Sequence, residues 1–253
     1  MAPSVRYIPR IARSLDVFAV VLVLLGFYMA LFYAPMEQTM GNVQRIFYFH
    51  VPSAMMAFLG FAIVLVASVY YLATGARRWD SVAEAGAEVG LVFCTITLLT
   101  GPVWAHSAWT VDPTRPFFWT WDPRLTTTLV LWLIYVAYFA LRSYMKSDVR
   151  MRRFSAVLGI IGALDVPIVY FSVRWWKEGM HPGTFITKRG ELQHDMAVTL
   201  RVAMVAFLLL FVALLLKRIA LGRLREAHES LCARVETVEA GDRVAPVRPG
   251  GDP

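Results

Sequence analysis

Apolar positions along this chain gather into long, nearly unbroken runs separated by short polar stretches. Surface helices and half-buried strands instead alternate apolar and polar faces. Six runs stand out, at residues 15–34, 53–73, 83–103, 125–141, 154–173 and 196–216. A helix needs about 20 apolar residues to cross a hydrocarbon core of roughly 30 Å, and each run approaches that length. The pattern predicts an all-α integral membrane protein with six transmembrane helices. Residues 1–14 read as a tail, 15–216 as the membrane domain, and 217–253 as an amphipathic helix followed by a disordered stretch from residue 241.

Local signals sharpen the boundaries. Asp122-Pro123 predicts the start of the fourth helix, with Asp122 as N-cap and Pro123 at the first helical position. Ser81 and Glu84 fit a capping box opening the third. Beyond the sixth run, Leu221, Leu224, Leu231, Val235 and Val238 keep a three-four spacing. Arg6, Arg10 and Arg13 precede the first run as in a secretory signal, but the run is long and no small-x-small site follows, so a retained helix is expected.

Composition agrees: 58% of the 253 residues are hydrophobic and only 17% charged. The two cysteines, Cys94 and Cys232, make no CxxC or zinc spacing. A net charge of +7 would suit nucleic acid, yet its distribution follows membrane sidedness. With the N-terminus inside, 17 of the 25 Lys/Arg residues fall in cytoplasmic segments and seven in the outer loops. The positive-inside rule then places both termini in the cytoplasm, with the lipid bilayer and not nucleic acid as the partner.

That topology puts an unusual loop outside. Residues 103–124, between the third and fourth helices, carry Trp104, Trp109, Phe117, Phe118, Trp119 and Trp121, closed by Asp122 and Arg124. Aromatic residues belong at membrane interfaces, and a belt is the alternative reading, but six in one connection also make a platform for a flat, partly anionic ligand. Arg124 suits a carboxylate, in competition with Arg45, Arg115 and Arg174. His50, His106, His181 and His194 all lie at or near the outer face, and neutral imidazole ligates iron, zinc and copper. Each alone is equally an interfacial or loop histidine, and spacing does not choose a pair. Asp122 reads as a cap before it reads as an acid. Glu88, Asp165 and Arg201 are charges within or near spans, open to pairing or to a proton path. No Ser/His/Asp pattern, phosphate loop or HExxH motif is present.

The run Trp119-Thr-Trp121-Asp122-Pro123-Arg124-Leu125-Thr126 resembles the tryptophan-rich WWD motif of haem-handling membrane proteins. Two further blocks, Gln44-Arg45-Ile-Phe-Tyr-Phe-His50-Val-Pro52-Ser53 and Asp165-Val-Pro167-Ile-Val-Tyr170-Phe171-Ser172-Val-Arg174-Trp175-Trp176 followed by His181, resemble the haem exporter protein C family of cytochrome c maturation. The resemblance covers about residues 15–216. It implies His50 and His181 as axial ligands of haem b (iron protoporphyrin IX), with His106 and His194 as bystanders. It also implies the loop bearing Trp104, Trp109, Trp119, Trp121 and Asp122 as a platform shared with a periplasmic haem chaperone. A small single-span subunit and ABC transporter subunits are the implied membrane partners, and the bacterial inner membrane the implied location. The expected role is haem handling and transfer without enzyme chemistry. Protonation of a ligating imidazole would weaken binding at acid pH. Phe117 and Phe118 depart from the family's usual Trp-Gly run.

Two other classes compete. A cytochrome c synthetase-like enzyme would need a large outer domain for the apocytochrome; that branch follows Trp-Asp-Pro with Lys-Glu, where this chain has Arg124-Leu125. A proton-coupled secondary transporter would use Glu88, Asp165 and Arg201 and commonly carry an inverted repeat, which the sequence does not display.

Overall fold

The computed structural model describes residues 8–38, 40–108, 119, 121–145, 148–176 and 192–244. Six helices in it are long and apolar enough to cross a membrane. They are α1 (Ile8–Tyr28), α2 (Phe47–Thr74), α3 (Arg77–Ala108), α4 (Pro123–Tyr144), α5 (Val149–Trp175) and α6 (His194–Val244). A π-helical turn, Met29–Tyr33, extends α1, and a 3-10 turn, Asn42–Ile46, leads directly into α2. The chain is a six-span, all-α, multi-pass membrane protein. Its outward side chains are apolar, as at Val17, Phe18, Val20, Val21 and Leu24 of α1, and lipid is the solvent that such a surface requires.

Helices α2 and α3 form the centre. Gly75 caps α2 in the left-handed conformation (φ 68°), where glycine carries no steric penalty, so the chain reverses within a residue or two. The two helices then pack closely: a Cβ added at Gly60 would lie 2.7 Å from the Gly90 Cα. Small residues permit this approach, and dispersion supplies the attraction where lipid removes the hydrophobic driving force. Around that seam Phe61 stacks on Tyr135 of α4 at 3.9 Å between centroids, and the Tyr135 hydroxyl donates to the Gly159 carbonyl of α5 at 3.1 Å. Helix α1 lies against α6; the Tyr33 hydroxyl donates to Asp195 Oδ1 at 3.1 Å, joining their ends.

Charges collect at one end. Arg142 of α4 donates to both Asp80 oxygens at 2.8 and 3.1 Å and to Glu84 at 2.8 Å, and Arg152 of α5 reaches Asp80 at 3.4 Å. Asp80, Arg142 and Arg152 side chains are all less than 10% exposed. At the same end Glu88 pairs with Arg218, Lys217 with Asp16 at 2.8 Å, and the Ser81 hydroxyl donates to Glu226.

Two local expectations change. The capping box at Ser81 is not formed: α3 begins a turn earlier, at Arg77, because the pairing with Arg142 and Arg152 makes it favourable to keep Asp80 inside a helical first turn. Glu84 consequently faces α4 and not the chain's own amide. The segment after the sixth span is not a separate helix. It continues α6 without a break to Val244, three residues past the expected start of the disordered stretch. Its 51 residues span roughly 75 Å at 1.5 Å per residue, well beyond a bilayer's hydrocarbon core.

Candidate haem site

At the end opposite the charge network, α2, α3 and α4 diverge around an open hollow of about 1330 Å³, open solvent included. Each helix contributes one stripe. From α2 come Phe47, His50, Val51, Ala54 and Phe58; from α3, Cys94, Thr97, Gly101 and Trp104; from α4, Arg124, Thr128 and Leu131. Most of these positions recur every three or four residues, the period of a helix face, and Met55, Ala57, Leu98 and Leu125 widen the stripes. Val169 and Tyr170 of α5 and Leu200 of α6 complete the wall. A more polar hollow of about 880 Å³, open solvent included, shares Phe47 and Trp104 with it and is lined by Glu37, Gln44 and Gln193.

His50 is the fourth residue of α2, carried there by the preceding 3-10 turn. Its Nδ1 lies 2.9 Å from Thr100 Oγ1 on α3. Gly101 makes room for the ring: a Cβ there would stand 3.3 Å from His50 Cε1 and 3.1 Å from Leu125 Cδ2.

Arg124 enters from the first turn of α4, and the turn before it explains its placement. The Asp122 carboxylate accepts from the Arg124 amide at 2.9 Å and the Leu125 amide at 3.2 Å, with Pro123 between them, as the sequence predicts for an N-cap. The guanidinium therefore projects from a fixed helix start. Its Nη2 donates to the Tyr170 carbonyl at 3.4 Å. The Asp122 carboxylate acts on it electrostatically but is already engaged by the two amides.

The other expected residues separate into groups. Trp104 is buried in α3 and walls both hollows. Trp119 and Trp121 meet edge to face, 6.0 Å between centroids and 77° apart. Trp119 is partly buried, whereas Trp121 is 76% exposed and offers its face outward. Trp109 and His181 lie outside the described residues, as does Arg115. His106 falls in the last turns of α3, its side chain also outside them, and His194 is exposed at the start of α6. Among the rival arginines, Arg45 donates to the Leu31 carbonyl and Arg174 lies over the Tyr170 and Phe171 rings at 6.0 and 5.9 Å. Of the arginines described, Arg124 is the one that lines the hollow.

The intramembrane charges do not converge. Glu88 is paired with Arg218, Arg201 is exposed with its Nε on the Ala197 carbonyl at 3.2 Å, and Asp165 is half-buried with no described hydrogen bond to Oδ2. None of the three lines the hollow.

Sequence reasoning overlooked Thr97, Thr100, Gly101 and Thr128. A signal was available, since Cys94, Thr97 and Gly101 set small side chains at three-four spacing along α3, leading to Trp104.

The sequence model of the family described as Heme exporter protein C matches residues 3–234. The chain belongs to that family. It is 32% identical to the Heme exporter protein C of Bradyrhizobium diazoefficiens, over 91% of this chain and 84% of the relative. With that of Escherichia coli K12 it shares 32% identity over 81% of this chain and 80% of the relative. A mitochondrial protein of Marchantia polymorpha, named as ccmC-like and of cytochrome c biosynthesis, is 31% identical over 73% of this chain and 75% of its own length. The family match runs past residue 216, into the continuation of α6.

Proposed function

We propose that this chain binds haem at the outer face of the bacterial inner membrane and helps load it onto a periplasmic haem chaperone for cytochrome c biogenesis. The observation that carries the reading is an imidazole and a guanidinium on the wall of an otherwise largely apolar, open hollow, His50 on α2 and Arg124 on α4. A haem site needs an axial donor, an apolar wall and an answer to the propionates, and these residues fit all three. The membership of the Heme exporter protein C family supports the same reading.

Haem b supplies a planar iron centre with two axial positions and two carboxylates. His50 would hold the iron through an imidazole nitrogen, with His181, from the connection between α5 and α6, as the second ligand. Arg124 receives a propionate through its paired N–H groups. Phe47, Val51 and Trp104, on the wall of the hollow, would exclude water from the bound group. Trp121, exposed beside Trp119, offers an aromatic face to the chaperone. Asp122 holds the loop and Arg124 in place as a cap. The chain itself makes and breaks no covalent bond in this role. Its orientation follows from the Lys/Arg bias, which puts the ion-paired end in the cytoplasm and the hollow outside. A small single-span subunit and ABC transporter subunits act with it.

The test is the visible spectrum of the detergent-purified protein beside His50→Ala, His181→Ala and His106→Ala. Low-spin haem in the wild type and His106→Ala, lost or converted to high spin in the other two, is the expected result. Haem content unchanged after replacing His50 and His181 singly and together rejects the ligand pair.

A further inference from the structure

We infer that Thr100 is a positioning residue for His50, fixing the imidazole tautomer that leaves Nε2 as the ligating nitrogen; this rests on the reading of His50 as an iron ligand. A proton count leads there. A threonine hydroxyl has one proton and two lone pairs, and a neutral imidazole has one N–H. Thr100 Oγ1 lies 2.7 Å from the Ile96 carbonyl oxygen, one turn back on α3, and 3.4 Å from that of Thr97. Carbonyl oxygens only accept, so the hydroxyl proton is committed to them. What Thr100 turns to His50 is therefore a lone pair, and across 2.9 Å the donor must be Nδ1–H. The ring nitrogen left without a proton is Nε2, on a side chain that lines the hollow.

Gly101 supports the same contact from the next position. A Cβ there would press on Cε1 at 3.3 Å and approach Nδ1 at 3.9 Å, moving the ring off Thr100. Thr100 and Gly101 together form a seat for one edge of the imidazole, built by α3 for a residue of α2.

The choice of acceptor has a chemical consequence. A partner that accepts from the distal N–H orients a ligating histidine and raises its basicity. A neutral hydroxyl accepts more weakly than a carboxylate, so Thr100 fixes tautomer and direction while strengthening the iron bond only modestly. That combination suits a group that must be held and then passed on.

The experiment adds haem b to the full-length protein and to Thr100→Val, Thr100→Ser, His50→Ala and the His50→Ala/Thr100→Val double variant. Haem affinity, the low-spin electron paramagnetic resonance signal and the midpoint potential are read for each. Thr100→Val removes the acceptor at nearly constant volume. It is expected to weaken binding by about 10- to 100-fold, shift the low-spin signal and raise the potential, because the ligand becomes a poorer donor to oxidised iron. Thr100→Ser restores all three. On the His50→Ala background, Thr100→Val adds nothing, because its effect passes through the imidazole.

Wild-type affinity and potential in Thr100→Val, with haem lost from His50→Ala, overturns the role of Thr100 and leaves the ligand assignment standing. No loss in His50→Ala either removes the ligand assignment and this inference with it. An equal further loss on both backgrounds shows Thr100 acting on the fold, which also overturns it. If Thr100→Val does not fold, Thr100→Cys, a weaker acceptor of similar size, takes its place with the same three readouts and the same expected shifts.

Discussion

The two ends of this helix bundle treat charge in opposite ways. At one end, Arg142 is held by Asp80 and Glu84, Arg152 by Asp80, Arg218 by Glu88 and Lys217 by Asp16. These pairs join α1, α3, α4, α5 and α6, and the inner ones are almost fully buried. At the other end, Arg124 and His50 stand on the wall of a hollow, each side chain in one hydrogen bond among the described residues, at 3.4 and 2.9 Å. Buried charge is tolerated at the first end because it is neutralised on the spot. At the second, the negative charge acting on Arg124 among the described residues is that of Asp122, which already caps α4, and on the proposed function a ligand carboxylate completes the pairing. On the proposed function the difference separates residues that hold the fold from residues that hold cargo, and substitutions at the two ends should have different signatures.

The largest contrast is expected from Arg142→Leu against Arg124→Leu. Removing Arg142 leaves the partly exposed Glu84 without its counter-ion and the buried Asp80 with only the 3.4 Å contact to Arg152, a loss approaching about 3–5 kcal/mol for a broken buried pair. Thermal unfolding in detergent should register it, while any folded protein retains a normal haem spectrum. Arg124→Leu should reverse the pattern, with unfolding near wild type and haem affinity lower by about 10- to 100-fold, the equivalent of one charge-assisted hydrogen bond of about 1.5–3 kcal/mol. If both variants lost stability alike, the two ends would not be divided as described.

Gly101→Val comes next, testing the seat beneath His50. A branched side chain where even a Cβ would lie 3.3 Å from the ring should displace the imidazole and lower haem affinity about tenfold without loss of helical content. Asp122 gives a smaller effect that separates cap from acid. Asp122→Ala should cost about 1 kcal/mol of stability, with Asp122→Ser recovering most of it; a serine variant that folds well but binds no haem would assign the carboxylate a direct part. Smallest of all is removal of residues 219–253, which breaks the Glu226 contact with Ser81 but touches neither the main ion pairs nor the hollow. Haem binding should not change, and loss of chaperone loading alone would give the extended α6 a docking role.

What was legible beforehand follows the range of the interactions involved. Six spans could be read because each is an apolar run whose length alone meets the membrane's requirement. The cap at Asp122-Pro123 was readable because its donor and acceptor lie within three residues. The start of α3 was misplaced for the converse reason: the partner that draws Asp80 into the helix is Arg142, 62 positions away. Thr100 was overlooked because a threonine bonded to its own helix is unremarkable until α2 brings His50 against it, 50 positions distant. Arg124 could be proposed from sequence among four arginines, and the packing of α4 against the hollow distinguishes it from Arg45 and Arg174.

The most direct test of the central claim is an electron cryomicroscopy map of the haem-loaded protein. The account predicts iron density bonded to His50 Nε2 and to a nitrogen of His181. The ring should lie against Phe47 and Trp104, with a propionate on Arg124. Density for the macrocycle on the lipid-facing surface beside Val17 and Val21 of α1, or at the ion-paired end, would contradict it.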